Sequence, residues 1–141
     1  MAADPLSSVL MTADTVGGVW TYAVELSRAL SHAGVHVHLA TMGAPLKDYQ
    51  RQQLHGIAEL TLHESDFALE WMRDPWDQVE RAGQWLLRIE QHVRPQVVHL
   101  NQFAFGALPF QAAKCIAVWP CLFCASQLAP LSSSSLSVLA C

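Results

Sequence analysis

Residues 12–22, TADTVGGVWTY, decide the reading of this chain, because they join the apolar run at 8–11 (SVLM) to a segment with helical periodicity. Two adjacent glycines, Gly17 and Gly18, stand where a strand hands over to a helix. Glycine lowers stability there unless the backbone needs positive φ or something must approach it closely. A helix N-terminus presents unpaired N–H groups and a positive dipole end, so the ligands it favours are phosphates and carboxylates. Two readings of the pair stand open at this point: a tight turn that packs helix on sheet, or a loop that touches a ligand.

Outward from the glycines the pattern alternates. Val19, Ala23, Leu26, Leu30 and Ala33 recur at spacings of three and four, with Glu25, Arg28 and His32 on the other side, which predicts an amphipathic helix. Gly34 ends it as a residue just past the C-cap. Residues 35–41 (VHVHLAT) have period-two apolar positions at Val35, Val37 and Leu39 and predict a second strand. Residues 45–56 (PLKDYQRQQLHG) read as a polar helix and 57–64 (IAELTLHE) as a third strand. Asp74 then reads as an N-cap and Pro75 as the first helical residue, with Asp77 complementing the dipole. The stripe Trp76, Val79, Ala82, Leu86, Ile89 and Val93 carries that helix to Arg94, and 96–101 (QVVHLN) form the fourth strand.

Alternating strands and helices predict an α/β fold, a Rossmann-like open parallel sheet with helices on both faces. Right-handed crossovers put every strand's C-terminal end on one edge, and ligands bind outside those ends where strand order reverses. The loop at Gly17 and Gly18 is therefore expected on the functional edge, together with the stretch that follows the fourth strand.

Bulk properties narrow the function. The 141 residues are 52% hydrophobic and 14% charged, which suits one packed domain. A formal charge of −4, with no cluster of Lys or Arg, offers no electrostatic footprint for nucleic acid. The N-terminus lacks the basic and apolar regions of a secretory leader, so a cytoplasmic location is expected. No uninterrupted apolar window is long enough to span a bilayer, since 115–131 is broken by Pro120, Ser126, Gln127 and Pro130, and membrane association is not expected. Residues 115–141 carry no charge and hold all four cysteines. We divide the chain into a Rossmann-like domain at 1–114 and, at 115–141, a candidate fifth strand (CIAVW) followed by an uncharged tail.

Several motifs are absent or weak. The loop reads G-G-V-W, not G-x-G-x-x-G, and the second strand ends in Thr41 and Met42 where a dinucleotide site needs an acid for the ribose. No P-loop occurs. Cys121 and Cys124 form a C-x-x-C without the strand-to-helix context of a redox motif or the second pair of a zinc site, so the cysteines read as free thiols and no metal is expected. His36 and His38 share a strand face but lack a third ligand type nearby in sequence. Trp71, Met72, Trp76 and Trp85 suggest an aromatic sugar platform, but most fall on or beside the helical stripe, so core packing is the preferred reading.

The stretches 9–43 (VLMTADTVGGVWTYAVELSRALSHAGVHVHLATMG) and 95–110 (PQVVHLNQFAFGALPF) resemble the N-terminal domain of glycosyltransferase family 4, GT-B enzymes that include relatives of glycogen and starch synthases. The resemblance covers about residues 8 to 113. It implies transfer of a sugar, with retention, from a nucleotide-sugar donor to a carbohydrate acceptor in a cleft between two Rossmann-like domains, with no further cofactor. The half seen here would mainly bind acceptor. Gly17 and Gly18 match the family's Gly-Gly loop, and Thr15 stands where synthase relatives carry a lysine. Asp14 and Trp20 border the loop, in position to touch sugar hydroxyls and a ring face, and His99 and Asn101 match a stretch beside the acceptor site.

The sequence departs from the family after the fourth strand. The loop following the fifth strand lacks the family's histidine. The acidic E-x7-E signature of the donor domain is absent, since no two of Glu25, Glu59, Glu64, Glu70, Glu80 and Glu90 have that spacing. The isolated chain is expected to be inactive for want of a donor domain. The alternatives are a truncated or frameshifted non-catalytic product and a sugar-binding module.

Overall fold

A computed structural model of the chain describes residues 4–113 and 115–118. Strands and helices alternate: β1 (Ser8–Asp14), α1 (Gly18–His32), β2 (His36–Met42), α2 (Asp48–Leu54), β3 (Leu60–Glu64), α3 (Trp76–Val93), β4 (Val97–Leu100) and β5 (Cys115–Val118), with a 3-10 turn at Phe103–Phe105. They build one parallel sheet in the order β3-β2-β1-β4-β5. The α/β Rossmann-like expectation holds. Strand order reverses between β1 and β4, so the crevice of such a sheet opens at their C-terminal ends.

The two faces bury separate cores. On one, Trp20, Ala23 and Val24 of α1 and Leu54 of α2 pack over Val9, Met11, Val37 and Leu39. On the other, Val79, Ala82, Leu86 and Ile89 of α3 cover Leu10, Ala40, Met42, Val98 and Leu100. Period-two alternation along β1 and β2 sends successive side chains to opposite cores. The strands buried on both faces are those that read as apolar in sequence.

Local details differ from expectation at three places. Asp74 does not cap α3: it takes a left-handed φ of 47°, and Pro75 holds the cap position without a side-chain cap bond. Aspartate tolerates that backbone region. Trp71 and Trp76 are not core residues but stand 50% and 67% exposed, while Met72 and Trp85 do pack against the α3 core. Cys115, expected as a free thiol, is disulfide-bonded. The C-x-x-C pair and the uncharged tail lie outside the described residues. Among the described residues no helix is long and apolar enough to cross a membrane.

Candidate functional site

The loop between β1 and α1 begins with an Asx turn. Asp14 Oδ1 accepts a hydrogen bond from the Val16 N–H at 2.6 Å, which turns the chain two residues after the strand ends. Gly17 then takes φ 111° and ψ −161°, a conformation essentially confined to glycine, and serves as the α1 N-cap. A capping side chain and a first-turn acid are both lacking there. The first N–H groups of α1 therefore face the edge of the sheet with no side-chain cap among the described residues. Gly17 and Gly18 are exposed, and a Cβ placed on either would meet nothing within 4 Å.

Thr15 fixes the loop to its neighbour. Its hydroxyl donates to the Ala44 carbonyl at 2.6 Å, and its own carbonyl accepts from Gln50 Nε2 at 3.0 Å. Gln50 is buried and also accepts from the Lys47 N–H through Oε1, so it ties the start of α2 to the glycine loop. Between them sits Gly43, with φ 102°, where an added Cβ would lie 3.0 Å from Leu69 Cδ1 and 3.1 Å from Thr15 Oγ1. Arg51 of α2 holds Glu64 at the end of β3 through two hydrogen bonds, at 2.9 and 2.8 Å, which keeps that carboxyl below its usual pKa.

Asp14 itself is buried. Desolvation raises its carboxyl above the ordinary value, opposed by the Val16 N–H and by the Trp71 side chain beside it. Its role here is to shape the turn.

At β4, Asn101 is buried and pinned to β1: its backbone N–H donates to Thr12 Oγ1 at 3.0 Å and its Nδ2 to the Thr12 carbonyl at 2.7 Å. His99 pairs with Met11 across the strands, and its Nε2 lies 3.4 Å from the Tyr22 hydroxyl on the second turn of α1. Burial lowers the His99 pKa, and a hydrogen bond with the Asn101 side chain acts in the opposite sense. The ring thus lies between a phenol and a carboxamide.

Of the residues singled out in sequence, the structure brings Asp14, Thr15, Gly17 and Gly18 together in one loop, and it joins His99 to Asn101 at the neighbouring strand end. Trp20 goes elsewhere. It is 4% exposed in the α1 core, and its indole N–H donates to Gln53 Oε1 at 2.7 Å, so it offers no ring face to a sugar. Tyr22 and Gly43 were missed, and Trp71 was assigned to the core. Tyr22 stands four residues after Gly18, one helical turn on, which is the signal that it shares the loop's side of α1.

The family model for glycosyltransferase family 4 matches residues 16–123. No curated protein matches the chain. That span runs from the glycine loop through β2, β3, β4 and β5, and on this basis the chain belongs to glycosyltransferase family 4.

Proposed function

We propose that this domain is the acceptor-side half of a retaining glycosyltransferase that uses a nucleotide-sugar donor. What supports the reading is one juxtaposition: an open, uncapped glycine turn after β1 and, on the neighbouring strand β4, His99 beside Tyr22 of the helix that the turn opens. In this reading the N–H groups of the glycine turn meet donor phosphate, while His99 and Tyr22 face acceptor hydroxyls.

The domain needs a partner to hold its donor. A helix N-terminus contributes about 0.3–1 kcal/mol to an exposed anion and about 2 when partly buried. Micromolar binding requires about 8 kcal/mol. A second, donor-binding domain supplies the remainder, and without it the chain does not turn over.

The test is an assay of the isolated chain against a panel of nucleotide sugars and oligosaccharide acceptors. We expect acceptor binding without turnover. Robust turnover overturns the inactivity of the lone domain, and absence of binding to every donor and acceptor overturns the whole reading.

A further inference from the structure

Residues 65–75, between β3 and α3, cross the C-terminal edge of the sheet and are tied down along their length. Ser65 bonds the Thr41 carbonyl through both N–H and hydroxyl, and the Gly43 N–H donates to the Phe67 carbonyl at 2.9 Å. Ala68 N–H donates to Gln78 Oε1 at 2.8 Å, and Glu70 Oε2 accepts from the Ala104 N–H at 2.8 Å, which joins this loop to the turn after β4. Leu69 is 2% exposed and packs against Gly43.

In the middle of this fixed segment Trp71 stands half exposed. Its side chain hydrogen-bonds to Asp14, at the base of the glycine loop. An indole whose N–H is engaged internally has its ring faces left to present. Tryptophan is ordinarily buried for most of its area, so an ordered loop that holds one in water leaves a large apolar surface uncovered.

The surroundings select the occupant. The apolar neighbours Phe67, Leu69 and Met72 are buried or half-buried, whereas Asp66, Arg73, Asp74 and Asp77 are exposed. A protein interface requires about 800 Å² per partner with a contiguous apolar centre. Trp71, with Trp76 as the other exposed ring of this stretch at 67%, stands among charged and hydrogen-bonding groups, and a flat ring so placed fits a pyranose, whose polarised C–H face stacks on the negative face of the indole while its equatorial hydroxyls reach the flanking polar groups.

We propose that Trp71 is a stacking platform for a pyranose ring of the carbohydrate acceptor, set beside the glycine loop by its bond to Asp14. This deepens the proposed function and rests on its premise that the domain handles carbohydrate.

The experiment uses the full chain and an array of gluco-, galacto-, manno- and xylo-oligosaccharides, with affinities for retained sugars measured by titration. The wild-type chain is expected to retain at least one series. Trp71→Ala should weaken it about tenfold or more and Trp71→Phe only a few-fold, because a phenyl ring keeps a stacking face. Circular dichroism and size-exclusion profiles should stay unchanged. Equal binding by Trp71→Ala overturns the platform and leaves the acceptor-side reading standing. Retention of no sugar by the wild-type chain overturns both. A change of oligomeric state in Trp71→Ala identifies a second copy of the chain as the occupant and also overturns the platform.

Discussion

Glu90 Oε1 lies 2.9 Å from the backbone nitrogen of Ala113 and accepts its hydrogen bond. The same oxygen accepts from the Ala112 N–H, while Oε2 is buried with no partner among the described residues. One side chain of α3, wholly buried, thus sets the course of the segment that delivers β5 to the sheet. Glu90→Ala strips two backbone donors of their acceptor and should cost about 2–4 kcal/mol. Glu90→Gln keeps an acceptor and should cost about 1 kcal/mol. Urea unfolding of the three proteins checks the order, and equal midpoints for wild type and Glu90→Ala would contradict it.

The two positive-φ glycines of the edge separate strain from crowding. Gly17→Ala meets open space and should lose only the cost of its backbone conformation, about 1–3 kcal/mol. Gly43→Ala meets Leu69 and Thr15 as well, and should lose more and shift the loop at 65–75. Thermal midpoints rank the pair, and a Gly43→Ala protein more stable than Gly17→Ala would refute the packing described.

Acid should weaken the fold. His38 Nδ1 stands 3.3 Å from His63 Nε2, and both imidazoles are held below their usual range, His38 to about 4, chiefly by burial. The groups acting on His38 are His36, His63 and His92, and Glu59 bonds His36 nearby. Unfolding frees these rings to bind protons near pH 6.5, while in the folded state His38 resists until about pH 4 and His63 also titrates below its usual value. Their contribution is therefore intact above pH 6.5 and declines as pH falls towards 4. His38 alone accounts for about 2 kcal/mol, allowing for the water on its open side. Urea midpoints at pH 5 and pH 7.5 should differ in wild type, and by less in His38→Gln, where of this pair only His63 keeps its lowered pKa. An unchanged difference in the variant would place the acid sensitivity elsewhere.

Trp20 and Trp71 should part company in the laboratory. Trp20→Ala removes a core side chain and its bond to Gln53 and should destabilise by about 3–5 kcal/mol. Trp71→Ala removes a half-exposed ring and its bond to Asp14 and should cost about 1 kcal/mol, well below Trp20→Ala. Denaturant titration of both variants is sufficient, and a core-sized loss in Trp71→Ala would mean the ring packs more tightly than its exposure indicates.

These two residues also show what was legible in the sequence. Val35, Val37 and Leu39 alternate because β2 has one face on the α1 core, so local periodicity alone announces that strand. The glycine turn was legible for a similar reason, since only glycine readily adopts the Gly17 conformation. Trp20 was misread because its nearness to the glycines suggested a site, although Trp20, Ala23, Val24 and Ser27 share the helical spacing of a buried face. Trp71 was misread as core because its exposure depends on contacts far along the chain, such as Glu70 with Ala104, that no local window contains. Asp74 followed the usual sequence rule for a cap, and the backbone entering α3 overrode it.

The central place of β1 has a consequence for motion. Leu10 and Met11 are wholly buried and bracketed by partner strands on both sides, so their amides should exchange with deuterium only when the whole sheet opens. The exposed glycines that follow should exchange orders of magnitude faster. A loop that must adapt to its ligand thus hangs from the slowest-opening strand of the domain, and the hinge between the two regimes falls at Asp14.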